Sequence, residues 1–404
     1  MKKDIVIVGG GASGMMCAIR AKERYPEKNV AVLEKQSRIG RKLLSTGNGR
    51  CNLTNINSDK QNYHGSFSKY IGTVLGKYPP QKVIGIFNKI GLLTKVESEG
   101  RVYPISNHAA SVLDVLRFRL ETLGVEIVCD TLVKDIKDKG KFFEIITDSD
   151  TYIADKVVVS TGTSAAPKLG ANNSGINILS KLGHNTEKFC PALCPVAVKG
   201  GLPASLKGVR TAAKVALFDN NKLIKEEYGE VQFTEKCLSG ICVFNLATYL
   251  RNTKSPIIKV SLLSNMAENE IVTLLNNQKN IMNDRVCEDF LSGIFQKKLG
   301  IVLMKSASIS PLSRKVSTLK SNEINTLAHL INNWDFNVEI TNDFNNAQVA
   351  SGGVKGSEIN PDTMESLVIN NLYICGEAVD VDGDCGGYNL QFAFASGLIA
   401  GDNL

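Results

Sequence analysis

One stretch near the amino terminus constrains the fold of this chain more than any other feature. Residues 5–8 form a continuous apolar run, which is typical of a strand buried on both faces of a parallel sheet. A Gly-x-Gly-x-x-Gly sequence follows at Gly9, Gly11 and Gly14, and residues 13–24 have the pattern of a helix. Such glycines allow a tight turn, let a pyrophosphate approach the backbone and let the helix pack closely on the strand.

A second apolar run at residues 30–33 completes a β-α-β unit. It ends at Glu34, about 20 residues beyond the last glycine, where a carboxylate can accept the hydroxyl groups of an adenosine ribose. The helix begins near Ala12 and Ser13, and its free amide groups favour phosphate there. An acidic residue repels a 2′-phosphate, so the unit predicts a site for FAD or NAD rather than NADP. A plain strand turn in an α/β core is the alternative.

A glycine-rich, basic and amide-rich loop follows at residues 38–55. Such a loop can lie over a dinucleotide. Arg41 or Lys42 would then lie near a phosphate, and hydroxyl or amide groups, such as the hydroxyl of Ser45, would reach the edge of a ring. A flexible surface loop is the alternative, although it would not need this density of glycines, cations and amides. Cys51 is the only cysteine in the loop. Flavoprotein disulfide reductases carry a cysteine pair there, so a dithiol relay is not expected.

The length of 404 residues indicates more than one domain. Residues 60–98 predict helices, and residues 157–160 predict a buried strand that ends at Thr161 and Gly162, where a sheet of this class often contacts its dinucleotide again. Changes in composition divide the chain into four parts. These are residues 1–190 as the first part of a dinucleotide domain, 191–266 plus 333–349 as a β-barrel-like domain, 267–332 as a helical insertion, and 350–404 as the closing part.

The closing part carries a second glycine-opened helix. A short strand at residues 372–374 ends in Gly376 and Glu377, and the pair Gly386-Gly387 precedes a helical pattern. A helix amino terminus opened by glycines favours an anion. One dinucleotide fingerprint combined with this closing segment suits a bound flavin better than a diffusing nicotinamide. We therefore predict FAD as the bound cofactor and NAD(P)H as a transient electron donor.

Composition limits the partners and the location. No apolar run reaches the roughly 18 residues of a membrane span, and the run after Lys3 stops in the glycine turn, which indicates a strand rather than a secretion signal. The ten cysteines are scattered, so reduced thiols, a cytoplasmic location and no metal site are expected. The net charge of +7 permits a nucleic-acid partner without indicating one.

Five segments carry a family resemblance. They are residues 40–55 (GRKLLSTGNGRCNLTN), 100–106 (GRVYPIS), 351–354 (SGGV), 363–366 (TMES) and 376–391 (GEAVDVDGDCGGYNLQ). Together they resemble the bacterial BaiN/RdsA-type FAD-dependent oxidoreductases, also called aminoacetone-oxidase-like or HI0933-like flavoproteins. The resemblance implies an α/β fold, with a Rossmann-like FAD domain of the glutathione-reductase type that is interrupted by a β-barrel and a helical insertion.

The β-α-β unit, the two glycine-rich loops and the resemblance together predict the FAD contacts. The predicted residues are Gly9, Gly11, Ala12, Ser13, Gly14, Glu34, Lys35, Arg41, Lys42, Ser45, Asn48, Gly49, Thr161, Gly162, Gly376, Glu377, Gly386, Gly387 and Asn389.

The resemblance also implies a reaction. Family members reduce conjugated C=C bonds, either in a bile-acid enone or in a uridine of ribosomal RNA, and others are described as amine or aminoacetone oxidases. A small-molecule enone or ribosomal RNA is therefore the expected partner. An oxygen-using amine or amino-acid oxidase is one alternative, and a non-catalytic flavin-binding or RNA-binding module is another.

Both reductions need a group that protonates the substrate or holds its enolate. The candidates are Tyr388, Tyr103, Arg101 and His108. Each has a structural alternative, such as a tyrosine hydroxyl bonded to a carbonyl, or His108 capping a helix. The other histidines stand in no motif and receive no role.

Overall fold

The computed structural model describes residues 1–404. The chain divides into two compact units, which are described separately. The first unit comprises Met1–Ala192 and Asp343–Leu404, and the second comprises Leu193–Asn342. No helix combines the length and the apolar character needed to cross a membrane.

The helices and strands are numbered in chain order. The strands are β1 (Lys2–Val8), β2 (Val30–Leu33), β3 (Thr54–Asn55), β4 (Tyr63–His64), β5 (Thr94–Val96), β6 (Arg101–Pro104), β7 (Glu126–Val128), β8 (Val133–Asp138), β9 (Phe143–Thr147), β10 (Thr151–Val159), β11 (Thr186–Ala192), β12 (Val196–Val198), β13 (Arg210–Asp219), β14 (Lys222–Phe233), β15 (Cys237–Ser239), β16 (Pro256–Ser261), β17 (Trp334–Glu339), β18 (Val349–Val354), β19 (Leu372–Ile374) and β20 (Asp382–Gly383). The helices are α1 (Ala12–Arg24), α2 (Ile71–Lys77), α3 (Pro80–Lys89), α4 (Ala109–Thr122), α5 (Ser174–Lys181), α6 (Ile241–Ala247), α7 (Glu268–Ile281), α8 (Lys297–Ser306), α9 (Ser321–Asn332) and α10 (Tyr388–Asp402).

A seven-stranded sheet forms the centre of the first unit. Its order is β7-β2-β1-β10-β9-β8, and β19 pairs with β10 as well. Strand β10 has two partners along one edge, because residues 151–154 pair antiparallel with β9 and residues 157–159 pair parallel with β19. The parallel strands β7, β2, β1, β10 and β19 therefore end at one edge of the sheet. This edge is where ligands bind in open α/β sheets.

Helix α10 packs against α1 with close approach of the two backbones. A β-carbon at Gly397 would lie 2.3 Å from the carbonyl oxygen of Ser13, and one at Gly401 would lie 2.7 Å from that of Cys17. Residues 391–401 are all buried, as expected for a helix that is apolar around its whole circumference. The carboxyl-terminal helix is thus part of the core beside the glycine turn.

The second unit is built on a closed barrel with the strand order β12-β15-β14-β13-β16-β17. The β13–β14 hairpin turns at Asn220 and Asn221, which both have positive φ, as a two-residue type I′ turn requires. Side chains from the barrel and from α7, α8 and α9 form one apolar core. The sequence analysis expects residues 267–332 to form a helical insertion that is a domain of its own, and this stays a prediction.

The α/β fold class predicted from the sequence, with its Rossmann-like domain and its barrel, is confirmed. The helical prediction for residues 60–98 is wrong near its start, where residues 63–64 form β4, and at its end, where residues 94–96 form β5. This strand pairs with β6, and pairing with a later strand cannot be read from local periodicity.

His184 provides a test of the packing in the first unit. Its Nδ1 donates to the Leu179 carbonyl oxygen at 3.2 Å, and its Nε2 lies 2.8 Å from the Ser366 hydroxyl oxygen. Burial lowers the pKa of His184 below the usual 6.5, against the opposing effects of Leu179 and Glu358. The neutral His184 ring therefore stabilises the folded state fully at pH values above 6.5. This contribution to stability is lost as the pH falls through the lowered pKa of His184.

We expect His184→Gln to reduce stability by about 1–3 kcal/mol at about pH 7.5 and by less at about pH 5. The measurement is the thermal midpoint at both pH values. His329→Gln is the control, because that side chain is 63% exposed. An equal loss for His184→Gln at both pH values would contradict the argument.

Candidate functional site

The glycine turn after β1 leaves one stretch of backbone open. Gly9 has a φ of +106°, and a β-carbon there would lie 2.6 Å from the Ser160 carbonyl oxygen. A β-carbon at Gly14 would lie 2.0 Å from the carbonyl oxygen of Gly9. Gly11 precedes α1 and differs, since no atom lies within 4 Å of a β-carbon built there. Another molecule can therefore reach the backbone at Gly11, beside the start of α1 at Ala12.

Glu34 holds a fixed carboxylate at the end of β2. Its Oε2 accepts the Gly10 N–H at 2.8 Å, and its Oε1 accepts the Gln36 N–H at 2.9 Å. Each carboxylate oxygen can accept a second hydrogen bond, so ribose hydroxyl groups can still bind. Burial lowers the pKa of the neighbouring Lys35, and Glu34 opposes this. Arg41 lies at the same end, where its Nη1 donates to Gln36 Oε1 at 2.7 Å.

We expect Glu34→Gln to weaken FAD binding by roughly 10- to 100-fold, because the amide loses the charge and one acceptor oxygen. The measurement is the FAD dissociation constant of the apoprotein. Glu126→Gln is the control, because Glu126 lies on β7 in the same unit and is 45% exposed. An unchanged FAD dissociation constant for Glu34→Gln would show that the Glu34 carboxylate does not contribute to FAD binding.

Three loops meet where the parallel strands end. Lys42 follows β2, and its Nζ lies 2.7 Å from Oε2 of Glu377, which follows β19. Thr163 and Gly162 follow β10, and the Thr163 hydroxyl donates to the same Glu377 oxygen at 3.4 Å. Gly376 lies against α1, since a β-carbon there would be 2.4 Å from Ser13 Oγ. The structure thus brings together predicted residues from both ends of the chain.

The residues present fit a dinucleotide such as FAD. The open backbone at Gly11 lies at a helix amino terminus, which favours phosphate. Glu34 retains acceptor capacity toward a ribose. The hydroxyl of Thr161 is buried without a hydrogen-bond partner, and it lies against Gly175 on α5.

The loop before α10 contacts the 38–55 loop. Gly387 has a φ of +101°, and a β-carbon there would lie 2.6 Å from the Thr54 carbonyl oxygen, so only glycine fits this contact. Asn55 Nδ2 donates to the Gly386 carbonyl oxygen at 3.0 Å. Asn389 holds the loop, because its amide accepts the Gly383 N–H and donates to the Gly383 carbonyl oxygen, both at 2.8 Å. The two motifs that carry the resemblance are therefore in direct contact.

Three predicted FAD contacts lie in the short helical turn that precedes this contact. The Ser45 hydroxyl donates to the Lys42 carbonyl oxygen at 2.8 Å and is exposed. Asn48 and Gly49 both have positive φ, and no atom lies within 4 Å of a β-carbon built at Gly49. Their contact with FAD stays a prediction.

Three of the four predicted catalytic residues lie close together. Burial raises the pKa of Tyr388 and that of Tyr103, and the positive charge of Arg101 lowers both. The Arg50 guanidinium lies over the Tyr103 ring, 4.0 Å from its centroid, and fixes that side chain. His108 is not part of this group. It is exposed and precedes α4 without a side-chain cap hydrogen bond.

The sequence analysis missed two residues beside this group. His64 Nε2 lies 2.8 Å from Asp384 Oδ1, although 320 positions separate them in the chain. Gln391 is fully buried and links two segments, since it accepts from the Thr54 hydroxyl at 2.6 Å and donates to the Tyr78 carbonyl oxygen at 2.7 Å. Gln391 lay inside a recognised motif, whereas no local signal pointed to His64.

Comparison with known proteins identifies the family. The family model described as HI0933-like protein Rossmann domain matches residues 3–403. The chain is 37% identical over 401 residues to the 3-dehydro-bile acid delta(4,6)-reductase of Clostridium scindens, covering 98% of each chain. It is 26% identical over 403 residues to the ribosomal RNA dihydrouridine synthase of Escherichia coli, covering 99% of this chain and 98% of the relative.

A solved structure supports the fold alone. A variant of Escherichia coli quinol fumarate reductase aligns with a TM-score of 0.51 and 12% identity, covering 100% of this chain and 69% of that one. The family match over nearly the whole length confirms the resemblance predicted from the motifs. The chain belongs to the HI0933-like family and is an FAD-dependent oxidoreductase.

Proposed function

We propose that this protein reduces a conjugated C=C bond of an enone such as a 3-dehydro bile acid. The observation that carries the proposal is the 37% identity, over 98% of both chains, to the Clostridium scindens 3-dehydro-bile acid delta(4,6)-reductase. FAD, when bound, supplies hydride transfer, and the protein supplies orientation and charge. We further propose NAD(P)H as the transient source of the electrons.

The charges near the start of α10 suit this reduction. A C=C bond conjugated to a carbonyl develops negative charge on the carbonyl oxygen as it accepts a hydride. The positive charge of Arg101, which pairs with the Glu99 carboxylate, lowers the pKa of both tyrosines, and the positive end of the α10 dipole at Gly387 also favours negative charge. We assign Arg101 to the substrate carbonyl and Tyr388 to protonation of the α-carbon.

Tyr103 is buried and held in a fixed position. Its side chain is 8% exposed and lies beneath the Arg50 guanidinium. Arg50 is itself fixed, because its Nη2 donates to Glu97 Oε1 and to Asn107 Oδ1, both at 2.6 Å. We propose that Tyr103 packs against the substrate in a preorganised position. The catalytic role predicted for His108 stays a prediction.

Ribosomal RNA is the second candidate substrate. The Escherichia coli relative and a Haemophilus influenzae relative, 24% identical over 397 residues, are both named ribosomal RNA dihydrouridine synthase. The uracil ring also holds a C=C bond conjugated to a carbonyl, so the same chemistry would serve. The net charge of +7 is compatible with a phosphate backbone.

We propose a cytoplasmic location. All ten cysteines are free thiols, and the reducing cytoplasm keeps thiols in this state.

Burial raises the pKa of the Cys51 thiol to about 12. This thiol in the 38–55 loop is therefore protonated at neutral pH and is a poor nucleophile.

An anaerobic two-step experiment tests the function. The purified holoprotein is first reduced with NADH or NADPH while the visible flavin absorbance is followed. It is then mixed with a 3-oxo bile acid that carries Δ4,6 double bonds, with ribosomal RNA, or with oxygen. We expect rapid reoxidation by the unsaturated bile acid and formation of its reduced product.

The saturated 3-oxo bile acid is the matched control, because it lacks only the double bonds. Reoxidation by ribosomal RNA alone would favour the second substrate. Rapid turnover of an amine with oxygen, without reoxidation by either C=C acceptor, would identify an oxidase. Failure of every donor to reduce the flavin would favour a non-catalytic module.

A further inference from the structure

The hairpin of β5 and β6 has two different faces. Lys95 on β5 pairs with Tyr103 on β6. The Ile105 N–H donates to the Leu93 carbonyl oxygen at 3.0 Å, which extends the pairing by one step. Paired residues, and alternate residues along each strand, point to the same side of a sheet. The face that carries Tyr103 therefore carries Leu93, Lys95 and Glu97 from one strand, and Arg101 and Ile105 from the other.

One end of this face adjoins Tyr388. Asn55 on β3 pairs with Arg101, and its Nδ2 donates to the Gly386 carbonyl oxygen at 3.0 Å. A β-carbon at Gly386 would lie 2.9 Å from Cε2 of Tyr388 and 3.5 Å from Asn55 Nδ2. Direct contacts therefore connect the Tyr388 ring to the Arg101 end of the hairpin. This is the end at which we place the reacting enone.

The opposite end of the face is apolar and exposed. Leu93 is 65% exposed and Ile105 is 55% exposed, and the hydrogen bond between their backbones holds them side by side. Ile105 lies four positions beyond Arg101, which is about 13 Å at the usual rise of a strand. Burial of two adjacent aliphatic side chains against an apolar molecule is favourable. A large apolar molecule whose reacting group lies at Arg101 can therefore extend to this pair.

A positive charge accompanies the apolar pair. Arg50 Nη2 and Lys95 Nζ both contact Glu97 Oε1, at 2.6 Å and 2.8 Å. One carboxylate balances only one of these two cations, so the cluster keeps one positive charge in excess. Lys95 lies on the same face as Leu93, two positions away. The charge therefore complements an apolar molecule that carries a carboxylate. Nucleic acid is recognised mainly through cations that neutralise its phosphates, and two exposed aliphatic side chains do not serve this purpose.

We propose that Leu93, Lys95 and Ile105 select a rigid hydrocarbon that carries a carboxylate, as a bile acid does. We call these three residues the outer surface of the hairpin. The inference rests on the proposed enone reduction and adds the residues that recognise this class of substrate. With the carbonyl of the substrate at Arg101, its hydrocarbon body packs on Leu93 and Ile105. Its carboxylate binds the flexible Lys95 ammonium.

Calorimetry of the FAD-loaded protein with the saturated 3-oxo bile acid tests the outer surface without turnover. We expect the double variant Leu93→Gln/Ile105→Gln to bind this ligand roughly 10- to 50-fold more weakly than wild type, because it loses the apolar contact with the hydrocarbon body. Val96→Gln is the matched control and should bind as wild type. Val96 is 54% exposed on the same strand, but it pairs with Val102 on the opposite face.

The methyl ester of the same bile acid tests the charge, because it lacks only the carboxylate. Wild type should bind the acid more tightly than the ester, and added salt should reduce this preference. Lys95→Gln should bind the acid and the ester equally. Lys139→Gln should keep the preference, since Lys139 is an exposed lysine that also pairs with a glutamate, Glu144. Equal affinity of wild type for the acid and the ester would overturn the role of Lys95.

Steady-state kinetics adds a second readout. The double variant should raise KM for the unsaturated 3-oxo bile acid by roughly the same 10- to 50-fold and leave kcat unchanged, because the contact is equally strong in the bound substrate and in the transition state. Its FAD content and thermal midpoint should match those of wild type, since both side chains are exposed. A loss of FAD or of thermal stability that accompanied the weaker binding would show a structural effect and overturn the proposal.

The outcomes separate the outer surface from the proposed function. Unchanged affinity in the double variant, or an equal loss in Val96→Gln, would overturn the role of the surface alone. A wild type that binds the bile acid through the outer surface but reduces no C=C acceptor would contradict the proposed function and leave the surface in place. A slower reaction of the double variant with ribosomal RNA, combined with unchanged bile-acid binding, would assign the surface to RNA and overturn the proposal.

Discussion

Gly14→Ala is expected to give a protein that is destabilised by about 3 kcal/mol and purifies with little FAD. The added methyl group would lie 2.0 Å from the Gly9 carbonyl oxygen and 2.6 Å from Ser160 Oγ. The serine side chain can rotate, but the carbonyl belongs to the turn itself. Helix α1 would therefore have to move away from the turn, and the amide groups beside Gly11 would move with it. The measurements are the thermal midpoint and the ratio of visible flavin absorbance to protein absorbance.

Gly85→Ala is the matched control for this substitution. Gly85 lies within α3, and no atom lies within 4 Å of a β-carbon built there. Alanine has a higher helix propensity than glycine by about 1 kcal/mol, so this variant should be as stable as wild type or more so. A Gly14→Ala protein with normal FAD content and thermal midpoint would show that the turn tolerates the displacement.

Tyr388→Phe is expected to slow enone reduction by roughly 1,000-fold, which is within the usual range for loss of a general acid. Phenylalanine keeps the ring and its edge-to-face contact with Tyr63 but removes the hydroxyl. Reduction of the flavin by NAD(P)H needs no proton from Tyr388 and should be unchanged. Stopped-flow measurement of the two half-reactions checks both expectations.

Tyr228→Phe is the control, because Tyr228 lies on β14 and is 65% exposed. The same experiment on Tyr103→Phe compares the other tyrosine, whose hydroxyl we do not assign to proton transfer. A larger loss of the rate of enone reduction in Tyr103→Phe than in Tyr388→Phe would assign proton donation to Tyr103 instead of Tyr388. If both tyrosine variants retained the wild-type rate, another residue would have to be the proton donor.

The sequence predicted the parts of the fold that local patterns determine. The helix predicted over residues 13–24 is α1, which begins one residue earlier, and the strand predicted over residues 5–8 is the second half of β1, which begins at Lys2. These elements could be predicted because periodicity and glycine chemistry act over a few positions. The strand at residues 94–96 was missed. Its ladder partner, β6, decides its conformation, and local helical periodicity does not contain that information.

The same distinction applies to the site. The position of Glu34 directly after β2 could be predicted because its spacing from Gly14 is set by one helix and one strand, while its contact with FAD stays a prediction. His64 could not, because its partner Asp384 reaches it only through the pairing of β4 with β20. The prediction that Asn389 contacts FAD remains untested. The structure adds that its amide is already engaged at both polar atoms by Gly383, a use that spacing does not reveal.

The double pairing of β10 has a consequence for biosynthesis. Residues 157–159 pair with β1 on one side, but they obtain their second parallel neighbour only when residues 372–374 have been synthesised, more than 200 positions later. Until then the nascent chain presents an apolar strand edge, which is a template for association with other chains. Ribosome-stalled or truncated forms that lack β19 should therefore depend on chaperones and aggregate readily, whereas the folded chain covers this edge with β19.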